Sequence, residues 1–263
     1  MANATQVSST DRRMPLVEHL IELRKRLMRA ALGIIVGSVI GWFLSDQILL
    51  LMSAPINGAG DGRLAKLNFT NVTSAFDVRF EIALIAGIVI TSPIWLYQIF
   101  AFITPAFTRQ EKKFVFGFFF SAVPLFLAGC AAGWFVIPHI VVLMISFAPG
   151  NSASLLDGKE YLDFALRLML IVGVAFVLPV FLVIMNFARL VRGKTIFKAW
   201  RFALLAITLF TAIATPSADV ISMLLLAIPM VALFFAAVGV SVVHDRRLDR
   251  REAAALAGAG TLE

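Results

Sequence analysis

The chain has 263 residues, 60% of them hydrophobic and 15% charged, with a mean hydropathy of +0.91. That is more apolar surface than one soluble core of this length can hide, so the chain belongs in a bilayer. The net charge of +7 does not indicate nucleic acid, because the basic residues fall in short clusters between long apolar runs, a membrane-topology pattern. A single cysteine, Cys130, excludes a disulfide framework or a thiolate metal site within one chain.

Met1 to Leu16 holds no apolar stretch of the kind a cleavable export signal needs, and Arg12 and Arg13 read as a juxtamembrane basic pair. Next, Leu16, Leu20, Leu23 and Leu27 recur at helical spacing. A short amphipathic helix is expected to enter the first span here, one face in the interface while Glu22 and the bases face water or protein. A bilayer core about 30 Å thick needs about 20 apolar residues at 1.5 Å rise each, a ruler that predicts spans near 27–52, 80–103, 114–137 and 162–188. The last apolar segment, Trp200 to Val243, is too long for one span, and the run Ala214-Thr215-Pro216-Ser217-Ala218-Asp219 predicts a turn inside it. The expected fold is therefore all-α, a polytopic membrane protein with six transmembrane helices. Its parts are a tail with the entry helix at 1–26, a membrane domain at 27–243 and a disordered cytoplasmic tail at 244–263.

Of the 23 lysines and arginines, all but Arg63, Lys66, Arg79, Lys159 and Arg167 lie on one side of these spans, which predicts that both termini are cytoplasmic. Trp42, Trp95, Trp134 and Trp200 mostly fall near span ends, as interfacial anchors do. The fifth span, Trp200 to Ala214, covers only about 22 Å as a helix. Such mismatch is met by thinning the bilayer or by pairing with another helix. Gly33, Gly37 and Gly41 form a GxxxGxxxG row on the first span that permits close helix approach, within the fold in preference to between copies.

The candidate chemistry is binding. Glu22 and Glu111 are carboxylates on one membrane side, and each can accept paired hydrogen bonds from a guanidinium, so together they suit an arginine-bearing ligand. Taken alone, Glu22 reads equally as an i,i+4 partner of Arg26, and Glu111 as a solvated charge. Glu81, Asp163, Arg167 and Asp219 lie near the outer span ends and are read as structural, Asp219 as a helix N-cap. His19, His139 and His244 carry no metal-ligand spacing, so no metal or cofactor is expected. No Walker loop, Gly-x-Ser-x-Gly elbow or HExxH motif is present, which argues against an enzyme.

Several segments resemble the TatC family. They are the His19-Leu20-Ile21-Glu22-Leu23-Arg24-Lys25-Arg26 core; Leu96 to Pro105 followed by Glu111; Ser53-Ala54-Pro55; and Thr215 to Val220 with Ala227-Ile228-Pro229-Met230. The resemblance implies a receptor for twin-arginine signal peptides in the bacterial inner membrane, the core of a translocase exporting folded proteins with the proton-motive force. It implies signal-peptide binding by Glu22 and Glu111, with Arg24, Arg26, His19, Phe102 and Pro105 shaping that surface. Pro55, Thr215, Pro216 and Asp219 would be structural or partner-docking residues. TatA-type and TatB-type single-span proteins would join it in a multimeric complex, one of them along the short fifth span. Two positions depart from the family pattern: Val177 stands where many members carry a buried glutamate, and Met223 where some carry glutamine. The rival function is a proton-coupled secondary transporter of a small solute. That reading wants ionisable residues in mid-span, which the third and fifth spans lack.

Overall fold

The computed structural model describes residues 16–58, 67–68, 72–103, 111–146, 156–215 and 220–259. In chain order the elements are α1 (Leu16–Gly58), β1 (Leu67–Asn68), α2 (Val72–Ile90), α3 (Ser92–Ile103), α4 (Glu111–Ser146) and β2 (Leu156–Asp157). They continue with α5 (Gly158–Phe187), α6 (Gly193–Lys198), α7 (Trp200–Ala214) and α8 (Val220–Ala259). The two strands are a two-residue parallel ladder, Leu67 opposite Leu156 and Asn68 opposite Asp157, that ties two loops together at one end of the helices.

Four of the described helices are long and apolar enough to cross a membrane, and α2 with α3 makes a fifth if that bent pair is one span. The expected straight second span is instead broken at Thr91 with a bend of 57°. Pro93 is the cause: it has no N–H to donate and disfavours helical backbone in the residue before it. The kink is closed locally, since the Thr91 hydroxyl donates to the Gly87 carbonyl at 2.6 Å and the Trp95 indole N–H to the Ile88 carbonyl at 2.9 Å. Trp95 also meets Phe126 edge-on, so it fills the bend in place of the interfacial anchoring expected of it.

The GxxxGxxxG row packs inside the fold. A Cβ on Gly37 would sit 2.8 Å from the Gly87 carbonyl oxygen, one on Gly41 2.5 Å from that of Ala83, and one on Gly33 3.1 Å from Ile94. Backbone therefore lies against backbone along the α1–α2 seam, which only small residues allow. The α4–α5 seam is built the same way, with Gly129 and Gly173 facing each other and Cys130 packed on Gly173. The buried core has two main bodies. One gathers Met52, Ile82, Leu162, Leu166 and Leu226; the other gathers Leu96, Phe100, Phe126, Val177 and Val180. Val177 is thus an apolar core residue.

Two expectations need correction at the ends of the chain. The entry segment is not a separate short helix, since α1 runs unbroken from Leu16 to Gly58. Nor is the C-terminal tail disordered from 244 onward, because α8 continues to Ala259. Its sequence there, rich in Ala, Leu, Arg and Glu, favours helix strongly enough to extend the span into water.

Candidate functional site

On α1, His19, Glu22, Arg26 and Ala30 are partly buried while Leu20, Leu23 and Leu27 are exposed. Their spacing of three or four residues continues into Gly33, Gly37 and Gly41, so one helix face carries both the charged segment and the glycine seam. Of the two options for Glu22 and the bases, water or protein, Glu22 and Arg26 take protein. Arg24 does not: it lies about 200° around the helix from Glu22 and is exposed.

That face meets α3. The His19 ring stacks on Phe102 at 4.3 Å, one of the places where the expected site residues from two segments come together. Arg26 donates to Glu22 from Nε at 3.0 Å and from NH2 at 2.5 Å, and both bonds end on Oε1. No bond among the described residues takes Oε2. The pair keeps about a fifth of its side-chain surface exposed (20% for Arg26, 23% for Glu22), which leaves it within reach of a ligand. An i,i+4 ion pair of this kind is worth only about 0.2–0.5 kcal/mol, so exchanging Arg26 for another guanidinium costs little.

Gln98 is a residue whose role sequence reasoning missed. It lies one helical turn before Phe102 and one turn after Ile94, on the α3 face that touches α1 at both of those residues. Its Oε1 is buried with no hydrogen-bond partner among the described residues. The i,i+4 spacing Ile94, Gln98, Phe102 was visible in the sequence, but only the packing of α3 on α1 gives it meaning.

Glu111 opens α4, and its side chain lies outside the described residues. The backbone places it at the same end of the bundle as Glu22, because Tyr97 of α3 contacts Phe116 and Phe119 in the first turns of α4. Pro105, Pro216 and Asp219 lie outside the described residues, as does the side chain of Pro55 within the last turn of α1. Thr215 is buried and terminates α7: its N–H and hydroxyl both donate to the Thr211 carbonyl, at 3.0 and 2.9 Å. That is a capping role.

The charges at the opposite end are held in cross-links between helices. Arg79 bonds the Ser45 hydroxyl at 3.0 Å and the Asp46 carboxylate, and lies over the Trp42 ring. Lys159 pairs with Asp77 at 2.7 Å, and Arg167 lies 3.5 Å from Glu81 and 3.8 Å from Asp163. Asp157 caps α5 by accepting from the Lys159 and Glu160 N–H groups. The structural reading of Glu81, Asp163 and Arg167 agrees with this geometry. Among the described residues no group of three or more His, Cys, Asp or Glu is placed to hold a metal ion.

Residues 18–229 match the family described as "Sec-independent protein translocase protein (TatC)". The chain is 47% identical over 248 residues to the Sec-independent protein translocase protein TatC of Xylanimonas cellulosilytica, covering 94% of this chain and 90% of that one. Its counterpart in Rothia mucilaginosa is 38% identical over 242 residues, covering 91% and 83%. The fold is similar to two crystal structures of the twin-arginine translocase receptor TatC, with TM-scores of 0.69 and 0.73 at 25% identity, over 86% and 85% of this chain and 98% and 99% of those. The match to the family over most of the length, the close relatives and the shared fold agree: this chain belongs to the TatC family of multi-pass inner-membrane proteins.

Proposed function

We propose that this protein is the signal-peptide receptor of a twin-arginine translocase, and that the paired arginines of the peptide are received between Glu22 and Glu111. The observation that carries the reading is the state of Glu22: its carboxylate already accepts two guanidinium hydrogen bonds on Oε1, and no bond among the described residues takes Oε2. An arriving arginine takes Oε2, or displaces Arg26 at small cost. Gln98 Oε1, without a partner among the described residues, is a further acceptor at the α1–α3 contact, and the His19–Phe102 stack supplies a flat apolar wall; Pro105 is assigned to the same surface by the family resemblance. Arg24, on the far face of α1, acts on peptide or headgroups outside this site. The chemistry is recognition, with no covalent step.

In this reading the bundle has six spans: α1, the bent pair α2–α3, α4, α5, the short α7 and α8. Both termini are cytoplasmic, which follows from the lysine and arginine distribution. Residues 1–26 and 244–263 flank a membrane domain at 27–243. Other subunits of the translocase, single-span proteins of the TatA and TatB type, dock on lipid-facing helices, α7 foremost. Its large residues Phe202, Leu205, Leu209 and Ile213 are 59–78% exposed. Pro55, Pro216 and Asp219 are assigned structural or partner-docking roles by the family resemblance, and the export step draws on the proton-motive force. The rival of a small-solute transporter draws no support from any of the similar proteins.

The test is binding of a signal peptide bearing Arg-Arg, against its Lys-Lys twin, to the purified chain and to its Glu22→Ala and Glu111→Ala variants. Preference for Arg-Arg, reduced about tenfold or more in each variant, is the expected result. Equal binding of both peptides to folded wild type would refute the reading.

A further inference from the structure

The bent pair α2–α3 is where a membrane crossing interrupts its own hydrogen-bond ladder. A helix that stops leaves its last four carbonyls without donors, and one that starts leaves its first four N–H groups without acceptors. Inside a bilayer no water takes their place. The break falls at Thr91, and Pro93 beyond it has no N–H at all. The Gly87 carbonyl is served by Thr91, whose N–H donates at 3.0 Å and whose hydroxyl donates at 2.6 Å. The Thr91 carbonyl in turn starts α3, accepting from the Ile94 and Trp95 N–H groups at 2.8 and 3.2 Å. The Ile88 carbonyl is served differently. Its donor is the indole N–H of Trp95 at 2.9 Å, a side chain seven positions ahead that reaches back from α3 to α2.

In an uninterrupted helix that carbonyl belongs to Ser92, through its N–H and, for a serine in mid-helix, through its hydroxyl as well. Ser92 is fully buried, yet its hydroxyl has no hydrogen-bond partner among the described residues. The two observations fit together. With Trp95 on Ile88, and Ser92 opening a helix aimed in a new direction, the serine hydroxyl has lost its ordinary acceptor. One carbonyl thus has two candidate donors that go with different shapes of the span: Trp95 with the 57° bend, Ser92 with a straighter course. Packing favours the first. The Trp95 ring meets Phe126 edge-on at 5.2 Å, and Phe126 is itself fully buried against Gly173 in the α4–α5 seam.

We propose that Trp95 is a positioning residue for the recognition surface shared by α1 and α3: its indole N–H latches α3 to the Ile88 carbonyl, fixes the angle of the bend, and so sets where Gln98 and Phe102 stand against His19 and Glu22. The lever is long. Phe102 lies eleven residues beyond Thr91, about 16 Å along α3. A change of about 10° at the break moves it by about 3 Å, enough to part a ring stack whose centroids are 4.3 Å apart. Through Phe126 the latch also refers that surface to the tightly packed α4–α5 seam. The role in recognition rests on the signal-peptide reading, whereas the latch is a property of the fold and is tested separately.

The test pairs a distance with an affinity. Spin labels on Phe80→Cys in α2 and Ile99→Cys in α3, both exposed positions, span the break, while the buried Cys130 stays unlabelled. Pulsed electron spin resonance on the full chain should give one narrow separation with Trp95, and with Trp95→Phe a broader one, longer by about 3 Å if the pair straightens fully. Replacing Trp95 by benzothienylalanine, which keeps the two-ring shape but has no N–H, should shift the separation the same way. In the unlabelled chain both replacements are expected to weaken binding of the Arg-Arg peptide about fivefold. An unchanged separation with benzothienylalanine would overturn the latch, because ring packing alone would then set the bend. A shifted separation with unchanged affinity would overturn the positioning role. Wild type that binds Arg-Arg and Lys-Lys peptides alike would refute the signal-peptide reading instead, and the separation would still decide the latch.

Discussion

Helices α5 and α7 are both predominantly apolar, yet the molecule uses them in different ways. Sixteen residues of α5 are buried, because α2, α4 and α8 all pack against it, and a single stripe through Ile171, Val174, Leu178 and Met185 stays exposed. Of the 15 residues of α7, only Thr211 is buried. The lesson is that in a bilayer hydrophobicity marks only what is not in water; it does not separate core from lipid-facing edge, since lipid tails are as apolar as leucine. What separates them is which surfaces meet: on α5, Gly173 lies directly against Cys130 and Phe126 of α4, whereas α7 presents Phe202, Leu205, Leu209 and Ile213 outward.

That contrast is open to breaking. The largest expected effect is Gly173→Val, since even a Cβ there would lie 2.5 Å from Cys130 Sγ and 3.0 Å from Phe126. Overpacking of this kind costs about 1–3 kcal/mol or more, and a thermal unfolding curve of the detergent-solubilised chain should show a clear loss of stability, partly restored by adding Cys130→Ala. A wild-type unfolding temperature for Gly173→Val alone would mean that the α4–α5 seam is looser than its geometry.

A middle-sized effect is expected from Asp245→Ala. It strips a partner from Asn186 Nδ2 and one from the Gly193 N–H, each a group whose loss of pairing costs about 1–3 kcal/mol. Protease cutting in the α5–α6 turn reads this out, and Asp245→Asn, which keeps an acceptor, should be cut less.

The smallest effect on the isolated chain is expected from Leu209→Ala with Ile213→Ala on α7. Surface truncations stay within about 0.5 kcal/mol, so its unfolding temperature should hardly move. Co-purification of single-span partner subunits should fall instead. If both quantities stayed at wild-type values, α7 would be a lipid-facing helix and nothing more.

The site was partly legible before the fold. Glu22 and Arg26 were a visible i,i+4 pair, and their place beside Phe102 was implied by family resemblance alone; the His19–Phe102 stack supplies the physical contact. Arg24 is grouped with Arg26 by the family resemblance alone, and their two-residue spacing puts them on different helix faces. Gln98 and Asn186 carry no local signal in the sequence. Their significance is burial without a full set of partners, which no local pattern encodes.

The sequence by itself determined that this chain lives in a membrane, where its long apolar helices lie, and that close helix approach runs through Gly33, Gly37 and Gly41. Each follows from composition or from a period of one helix, and needs no second helix to be read. The tertiary structure alone decided the 57° bend at Thr91, the buried and exposed fates of α5 and α7, and the joining of Asn186 to Asp245 across 59 positions of sequence. Those depend on which surfaces meet, and contacts between distant segments are set by the packing of the whole bundle rather than by any stretch of chain within it.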